Sequence, residues 1–412
     1  MSQREYIAGL DIGTTKTACV LADADLDAGT VDIIGVGLSL SDGLRKGIVV
    51  DLDRTTEAIQ SAVEKAQRMA GTVSIRSVIA GVTGEHISSL NSRGVIAITS
   101  SDHEITAQDV ERVIDASKVI VLPPEREIVH AIPRGFSVDS QDGVKDPVGM
   151  SGTRLEVETH IVTGSSTCLD NVVKCVQHAG LAMDTTVLEP IATSESAVMP
   201  AEKELGVALI DIGGGTTNVA VFTNGEIYYT AVLPVGGNHV TRDIAVGLRA
   251  ALEDAETAKV KHGCATVDMV GDEQTFEVLS LGAESSVELP RQILASIIEP
   301  RMQEILHMVR EELIKSGYLD LLPAGTVLTG GGAMMPGVVA LAEKVLGMPV
   351  RLGLPRGVGG LKDTVQSPIY TTSVGLVMYA AKHAAGLREQ EKSVTLKQGL
   401  RDVFKRVKGL FG

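Results

Sequence analysis

Apolar and polar positions follow the same order in two distant parts of the chain. Residues 8–20 read AGLDIGTTKTACV, and residues 208–221 read ALIDIGGGTTNVAV. Each begins with an apolar run ending in Asp-Ile-Gly. A Gly/Thr-rich turn and a second, alternating apolar stretch follow, which predicts strand, tight turn, strand. Asp-Ile-Gly stands at 11–13 and again at 211–213. A spacing this wide predicts two related lobes, since solenoid repeats recur every ~20–50 residues.

Between and beyond these hairpins, helical and strand patterns alternate, which reads as an α/β chain with sheets covered by helices. Residues 55–70 place Ile59, Ala62, Val63, Ala66 and Met69 on one helical face, with Gly71 as the stop. Ile75 to Val82 is a short apolar strand ending at Thr83-Gly84. Thr106 with Asp109, and Thr167 with Asp170, have capping-box spacing and predict two helix starts. Residues 291–316 carry the longest stripe: Ile293, Ile297, Ile298, Met302, Ile305, Val309 and Leu313. Pro300 inside it predicts a kink or a break into two helices. Gly325 to Thr329 predicts a buried strand feeding Gly330-Gly331-Gly332. Residues 139–154, rich in Gly, Pro and Asp, are expected to form a loop, and 386–395 a polar linker.

Composition narrows the class. The 412 residues are 44% hydrophobic and 22% charged, which is a globular balance and too apolar for a disordered chain. No stretch of 18 apolar residues predicts a membrane span, and the N-terminus lacks the pattern of a secretory signal. Four cysteines without metal spacing (Cys19, Cys168, Cys175, Cys264) fit a reducing compartment better than a disulfide framework. The nine histidines are scattered and predict no metal site. A net charge of −15, 3% aromatic residues and no Trp argue against nucleic acid as a partner. The charge is uneven: residues 392–412 carry a local +5, leaving −20 on the rest.

The hairpin turns carry the candidate chemistry. Asp11 ends a strand, and Gly13, Thr14, Thr15 and Lys16 follow. Backbone N–H groups in such a turn converge on an anion, the glycine admits a phosphate closely, and Thr hydroxyls and the Lys16 ammonium add donors. A carboxylate at Asp11 is placed to hold hydrated Mg²⁺ against phosphates. Taken alone, a Gly-Thr-Thr turn is usually only a turn. The second copy, Asp211, Gly213, Gly214, Gly215, Thr216, Thr217 and Asn218, supplies another carboxylate and another glycine-rich nest, enough to clamp a polyphosphate from both sides. Gly330, Gly331 and Gly332, with Met334 and Pro336 beyond, form a third glycine turn suited to a base or ribose lying against backbone. Glu256 and Lys259 share one helix face, where they either hydrogen-bond an adenosine or form a solvated ion pair.

The C-terminal segment 396–412 is amphipathic. Leu396, Leu400, Val403, Phe404, Val407, Leu410 and Phe411 recur at helical spacing, and Lys397, Arg401, Lys405, Arg406 and Lys408 form the other face with Asp402. These charges forbid a spanning helix, and a basic face opposite Leu, Phe and Val is the pattern of a helix lying in a membrane interface. A helix docked on its own protein is the alternative. Gly399 and Gly409 each weaken such a helix in water by ~1 kcal/mol, so helicity is expected to form on anionic lipid.

The order and spacing of these motifs resemble the actin/Hsp70/sugar-kinase superfamily. Within it the chain resembles the FtsA family of bacterial cell-division proteins over nearly its whole length. The residues carrying the closer resemblance are Gly236-Gly237-Asn238-His239-Val240-Thr241 with Arg242-Asp243-Ile244-Ala245, Glu256-x-x-Lys259, Ile298-Glu299-Pro300-Arg301 and the basic tail. The resemblance implies an α/β, two-lobed actin-like ATPase fold with duplicated sheet domains, an FtsA-type inserted subdomain and a C-terminal amphipathic helix. It implies a first-lobe core over 1–83, 164–196 and 367–385, and an inserted subdomain over 84–163. The second-lobe core would be 197–237 and 301–366, with a small subdomain over 238–300.

It further implies ATP and Mg²⁺ in the cleft, with Asp11 and Asp211 on the metal side. Gly236, Gly237 and Asn238 would belong to the nucleotide site, and Glu189, in Leu188-Glu189-Pro190, would be the acid that orients water. Slow or absent turnover is expected. The family polymerises, binds the C-terminal tail of the tubulin-like protein FtsZ, works with other division proteins, and is peripheral on the cytoplasmic face of the inner membrane at the division site. Arg291 and Arg301 are the candidate contacts for that acidic tail. An actin-like scaffold of another envelope machine, of the pilus-assembly type, and a small-molecule kinase of the superfamily are the alternative functions.

Overall fold

The computed structural model describes residues 4–385 apart from 72, 280 and 282–284. The linker and amphipathic tail read from the sequence lie outside the described residues.

Both glycine-turn repeats form antiparallel hairpins. Arg4–Ile12 pairs with Lys16–Asp25, and Val207–Ile212 with Thr217–Thr223. Each hairpin opens a sheet with the same strand order. In the first lobe, Thr30–Leu40, Lys16–Asp25, Arg4–Ile12, Ser77–Val82 and Ala182–Leu188 lie side by side. In the second, the equivalents are Glu226–Leu233, Thr217–Thr223, Val207–Ile212, Thr326–Thr329 and Val350–Leu352. In both, three antiparallel strands linked by tight turns are extended by two parallel strands, which need helical crossovers. The first sheet gains one short parallel strand, Gly359–Gly360, on its far edge.

Burial explains why the two strands of each central hairpin read as apolar runs. Val207–Ile212 is buried throughout, because helices cover both faces of the sheet. The helix Leu52–Ala70 packs Ile59, Ala62, Val63 and Ala66 against the first sheet, whereas Met69, expected on the same face, is exposed in the last turn. Helix Arg291–Ser316 supplies Ile298, Met302, Ile305, Val309 and Leu313 to the core of the second lobe. A further cluster joins Val36, Leu188, Ile191 and Leu376 of the first lobe to Leu209, Phe222 and Val327 of the second, so the lobes share apolar packing.

Four local expectations are corrected. The break into two helices expected at Pro300 does not occur, since Arg291–Ser316 is one helix. An internal proline costs ~3 kcal/mol, and the flanking Ile298 and Met302, both buried, offset it. Thr167 and Asp170 do not cap a helix. Ser166–His178 starts directly from strand Arg154–Ser165, with Ser166 N donating to Glu125 O at 2.9 Å, so both residues fall inside its first turns. Residues 139–154 are not all loop. Asp139 and Ser140 both adopt positive φ (47° and 72°), which makes a tight hairpin turn and lets Gln141–Val144 pair back on Arg126–Val138. Ile293 is exposed at the start of its helix, ahead of the buried stripe. The Thr106–Asp109 capping box forms as read, with Asp109 N donating to Thr106 Oγ1 at 3.2 Å and Thr106 N donating to Asp109 Oδ2 at 3.0 Å.

Residues 84–163 leave the first lobe after strand Ser77–Val82 and build a separate four-stranded antiparallel sheet. Its order is Ser88–Ala97, Arg154–Ser165, Arg126–Val138, Gln141–Val144, and helix Ala107–Ser117 lies on one face. Its core is Ile98, Ile105, Val113, Phe136, Val138, Val144, Leu155 and Val157. The sheet also meets the second lobe: His160 bonds Asn91 Oδ1 at 2.8 Å and Thr230 Oγ1 at 2.9 Å, and Ser89 Oγ donates to Thr230 O at 2.8 Å.

Candidate functional site

The turns of the two hairpins face one another. Gly213 N donates to Thr216 O and Gly13 N to Lys16 O, each at 2.9 Å, so both turns close in the same way. They approach closely. A Cβ on Gly214 would stand 2.7 Å from Thr15 Oγ1, and one on Gly215 would stand 2.5 Å from Thr14 Oγ1. Glycine is needed here because backbone must pass the opposite turn.

Between the turns lies a cavity of about 160 Å³. It is lined by Asp11, Gly13, Thr14, Thr15, Lys16, Glu189, Asp211, Gly213, Gly214, Thr216, Asn218, Gly330 and Gly331 from the sequence reading. Thr83, Pro368, Ile369 and Thr372 complete the wall, and sequence reasoning missed them. Thr83 was legible only as a strand end. Pro368, Ile369 and Thr372 precede or open the helical run 371–385 and carry no local motif.

Three carboxylates and one ammonium share this space. Lys16 Nζ pairs with Asp11 Oδ2 at 2.7 Å. Burial disfavours the Lys16 charge, but Asp11, Asp211 and Glu189 outweigh it and raise its pKa. Burial, then the Asp11 charge, pushes Asp211 up to about 6, against Lys16 and a 3.3 Å hydrogen bond from Thr372 Oγ1. Glu189 is pushed well above the usual carboxylate range by burial and by the charges of Asp11 and Asp211. It accepts from Asn218 Nδ2 at 3.0 Å, and Asn218 Oδ1 in turn accepts from Thr83 Oγ1 at 2.6 Å. Gly81 makes room for Glu189, since a Cβ there would lie 3.2 Å from Glu189 Cγ.

This donor set fits a polyphosphate with a hard cation. Two nests of N–H groups and an ammonium suit phosphate oxygens, and buried carboxylates in mutual repulsion suit an oxygen-seeking divalent ion. If such a ligand binds, Asp11 and Asp211 are the carboxylates that would face the cation, and the Gly13–Lys16 and Gly213–Thr216 turns would face the phosphates.

The remaining predicted residues stand behind or beside this wall. Thr217 is buried, its hydroxyl donating to Val235 O at 2.8 Å. Gly236, Gly237 and Asn238 lead into helix Gly237–Leu248. Gly237 N donates to Gly213 O at 2.9 Å and Asn238 N to Gly214 O at 2.8 Å, which braces the second turn from outside. Lys259 Nζ reaches Glu256 Oε2 at 2.6 Å, Thr241 Oγ1 at 2.9 Å and Gly237 O at 3.2 Å, and Thr241 also bonds Glu256. The pair is therefore tied to the glycine turn and is not merely solvated. Gly332 packs on Ile212, Pro336 O accepts from Ala265 N at 2.8 Å, and Met334 is exposed.

Arg291 and Arg301 are both engaged within the chain. Arg291 Nε donates to His262 O at 2.5 Å and Nη1 to Gln274 Oε1 at 2.9 Å, while Arg301 Nε donates to Asp243 Oδ2 at 2.6 Å and Nη1 pairs with Glu304. Among the described residues no cluster of His, Cys, Asp and Glu is arranged as a classical metal cage, and no helix is long and apolar enough to cross a membrane.

Residues 208–375 match the family model of the cell division protein FtsA, and residues 84–163 match that of the SHS2 domain inserted in FtsA. The chain belongs to the FtsA family of cell-division proteins. It is 45% identical to cell division protein FtsA of Pseudomonas aeruginosa over 95% of its own length and 92% of that protein. For FtsA of Escherichia coli K12 the figures are 40%, 97% and 96%, and for that of Bacillus subtilis 43%, 93% and 85%. Among solved structures, a PilM–PilN type IV pilus biogenesis complex matches at a TM-score of 0.68 and 16% identity, covering 92% of this chain and 99% of that one. MreB5 of Spiroplasma citri bound to AMPPNP matches at 0.55 and 13%, covering 94% and 99%. These likenesses establish the actin-like, two-lobed fold. The FtsA-type insert is the four-stranded sheet described above.

Proposed function

We propose that this FtsA-family protein binds ATP with Mg²⁺ between its lobes, assembles into filaments, and tethers FtsZ polymers to the inner face of the cytoplasmic membrane. The observation that carries the nucleotide part is the pair of glycine turns meeting around Asp11, Lys16 and Asp211. AMPPNP in the MreB5 structure, a protein of the same fold, supports the same reading. Bound Mg²⁺ would neutralise the phosphates. The Thr14 and Thr15 hydroxyls and the turn N–H groups would hold and orient them, and Lys16 would leave Asp11 to join them. Glu189, whose carboxyl is kept from ionising easily by burial and by Asp11 and Asp211, would orient water, and turnover is expected to be slow.

The membrane part rests on the sequence of the tail, where Leu400, Val403, Phe404, Val407, Leu410 and Phe411 would enter the interface and Arg401, Lys405, Arg406 and Lys408 would meet anionic headgroups. One such helix binds reversibly, and linked subunits bind more tightly through effective concentration. Filament formation on ATP would thereby set membrane residence. For the acidic FtsZ tail, the surface over 238–300 with Arg291 and Arg301 is the proposed contact, where each arginine would have to share or exchange its present acceptors.

Co-sedimentation with anionic liposomes tests the reading, with and without Mg-ATP, comparing the full chain with a truncation after Glu391. Tail-dependent pelleting that strengthens with ATP is expected. Equal pelleting of both proteins would remove the tail as an anchor. Capture by an immobilised FtsZ tail peptide, lost on charge reversal at Arg291 and Arg301 together, tests the partner.

A further inference from the structure

Glu189 is met by the second lobe at its carboxyl and by the inserted subdomain at the peptide that precedes it. It opens the short helix Glu189–Ala197, which starts at Leu188 with no side chain of its own capping it and with Pro190 in its first turn. The first N–H groups of a helix lack partners inside it and must be met from outside. Leu188 N donates to His130 Nε2 at 2.9 Å. His130 lies on strand Arg126–Val138 of the insert, 58 residues away. Its neighbours Val129 and Ile132 pack on the apolar cluster that contains Leu188 and Ile191. On the other side, Asn218 of the second lobe donates to the Glu189 carboxylate and is itself tied to Thr83, the last residue before the insert begins. Insert, first lobe and second lobe therefore converge on Glu189 and the Leu188 peptide before it.

We infer that His130 is a positioning residue that couples the orientation of the insert to the nucleotide cleft, by holding the Leu188 peptide that delivers Glu189. The inference rests on the cleft binding nucleotide, as proposed above. A shift of the Glu189 backbone when phosphate and metal enter would move the adjoining Leu188 peptide, and the bond to His130 would transmit it to the insert strand. Coupling is reciprocal, so a partner that tilts the insert would change nucleotide affinity. The bond needs the imidazole unprotonated at Nε2, with its proton on Nδ1. Burial, with the nearby His383 charge, pushes the His130 pKa down to about 4 and keeps the ring neutral at physiological pH.

Hydrogen exchange on the full chain tests this, with and without Mg-ATP, alongside binding of a fluorescent ATP analogue. In the wild type, Mg-ATP should slow exchange in 126–138 as well as in 185–190. His130→Phe keeps an aromatic ring but removes the acceptor. It should bind the analogue within about threefold of wild type while 126–138 no longer responds, and His130→Gln, which restores an acceptor, should recover part of the response. A full response in His130→Phe, or none in wild-type 126–138 despite binding, would overturn the coupling. No analogue binding by the wild type would sink the nucleotide reading and the coupling with it. Should His130→Phe fail to fold, ¹⁵N-histidine spectra of the wild type decide: the His130 Nε2 resonance should move on adding Mg-ATP, and a fixed resonance overturns the inference.

Discussion

Asn218 Nδ2 donates to Glu189 Oε2 at 3.0 Å, so a side chain of the second lobe meets the buried carboxyl of the first. The same amide accepts from Thr83 through Oδ1, which fixes its orientation. Removing it leaves a buried carboxyl and a buried hydroxyl short of a partner, at ~1–3 kcal/mol each. Asn218→Ala should lower the urea midpoint at unchanged m-value. Asn218→Asp should lower it further, because it adds a fourth carboxylate beside Asp11, Asp211 and Glu189. Equal midpoints for wild type and Asn218→Ala would show that the bond contributes nothing.

Gly330 and its neighbour make a controlled comparison. Gly330 has φ of 86°, and a Cβ there would collide with Asp211 Oδ1 and lie 2.6 Å from Ile212 O. At Gly331 the nearest atom, Ile369 Cγ2, would be 4.0 Å away. Gly330→Ala should therefore cost more than ~1 kcal/mol of stability and weaken ATP binding at least tenfold. Gly331→Ala should change stability little. Fluorescent-analogue titration of both variants separates the two outcomes.

Lys16 offsets a concentration of negative charge. Breaking a fully buried ion pair costs ~3–5 kcal/mol, and Lys16→Met should cost less because nearly a quarter of its side chain is exposed. The variant leaves Asp11, Asp211 and Glu189 without a cation. If Asp11 and Asp211 take Mg²⁺, millimolar Mg²⁺ should raise the melting temperature of Lys16→Met more than that of wild type, and EDTA should reverse the gain. An equal response in both proteins counts against metal at these carboxylates.

His160 sets an acid-sensitive joint between the insert and the second lobe. Burial, Arg134 and His130 lower its pKa from 6.5 to about 4. The folded state therefore resists protonation. The stabilisation is whole above about 6.5 and is lost as pH falls from there toward 4, by roughly 3 kcal/mol in all. Asp211 and Glu189, raised by burial, act in the opposite sense, so the measurement is a difference between proteins. Urea midpoints between pH 7 and 4.5 should fall less steeply for His160→Gln than for wild type. Parallel slopes would remove His160 from the acid response.

The features legible in the sequence are those written locally. Gly13 and Gly213–Gly215 are readable because the turns are so tight, Gly214 and Gly215 lying against the Thr15 and Thr14 side chains, that a Cβ has no room. The Thr106 cap and the Ile298–Leu313 stripe follow from bonds and periodicity within a few residues. The strand order shared by both lobes agrees with the two related lobes that the repeated Asp-Ile-Gly predicts, since equal hairpins start equal sheets. Thr83, Thr372 and His130 carried no such mark. Thr83 follows a strand of the first lobe, Thr372 opens the helical run 371–385 and His130 lies within a strand of the insert, and only the packing of parallel strands and the insert brings them to the cavity wall and the Leu188 peptide. The passage of Arg291–Ser316 through Pro300 was likewise decided by burial on both sides of the proline. Local chemistry determined where the two glycine turns form, whereas contacts between residues 58 to 161 positions apart decided which side chains surround them, because such contacts form only when the whole core does.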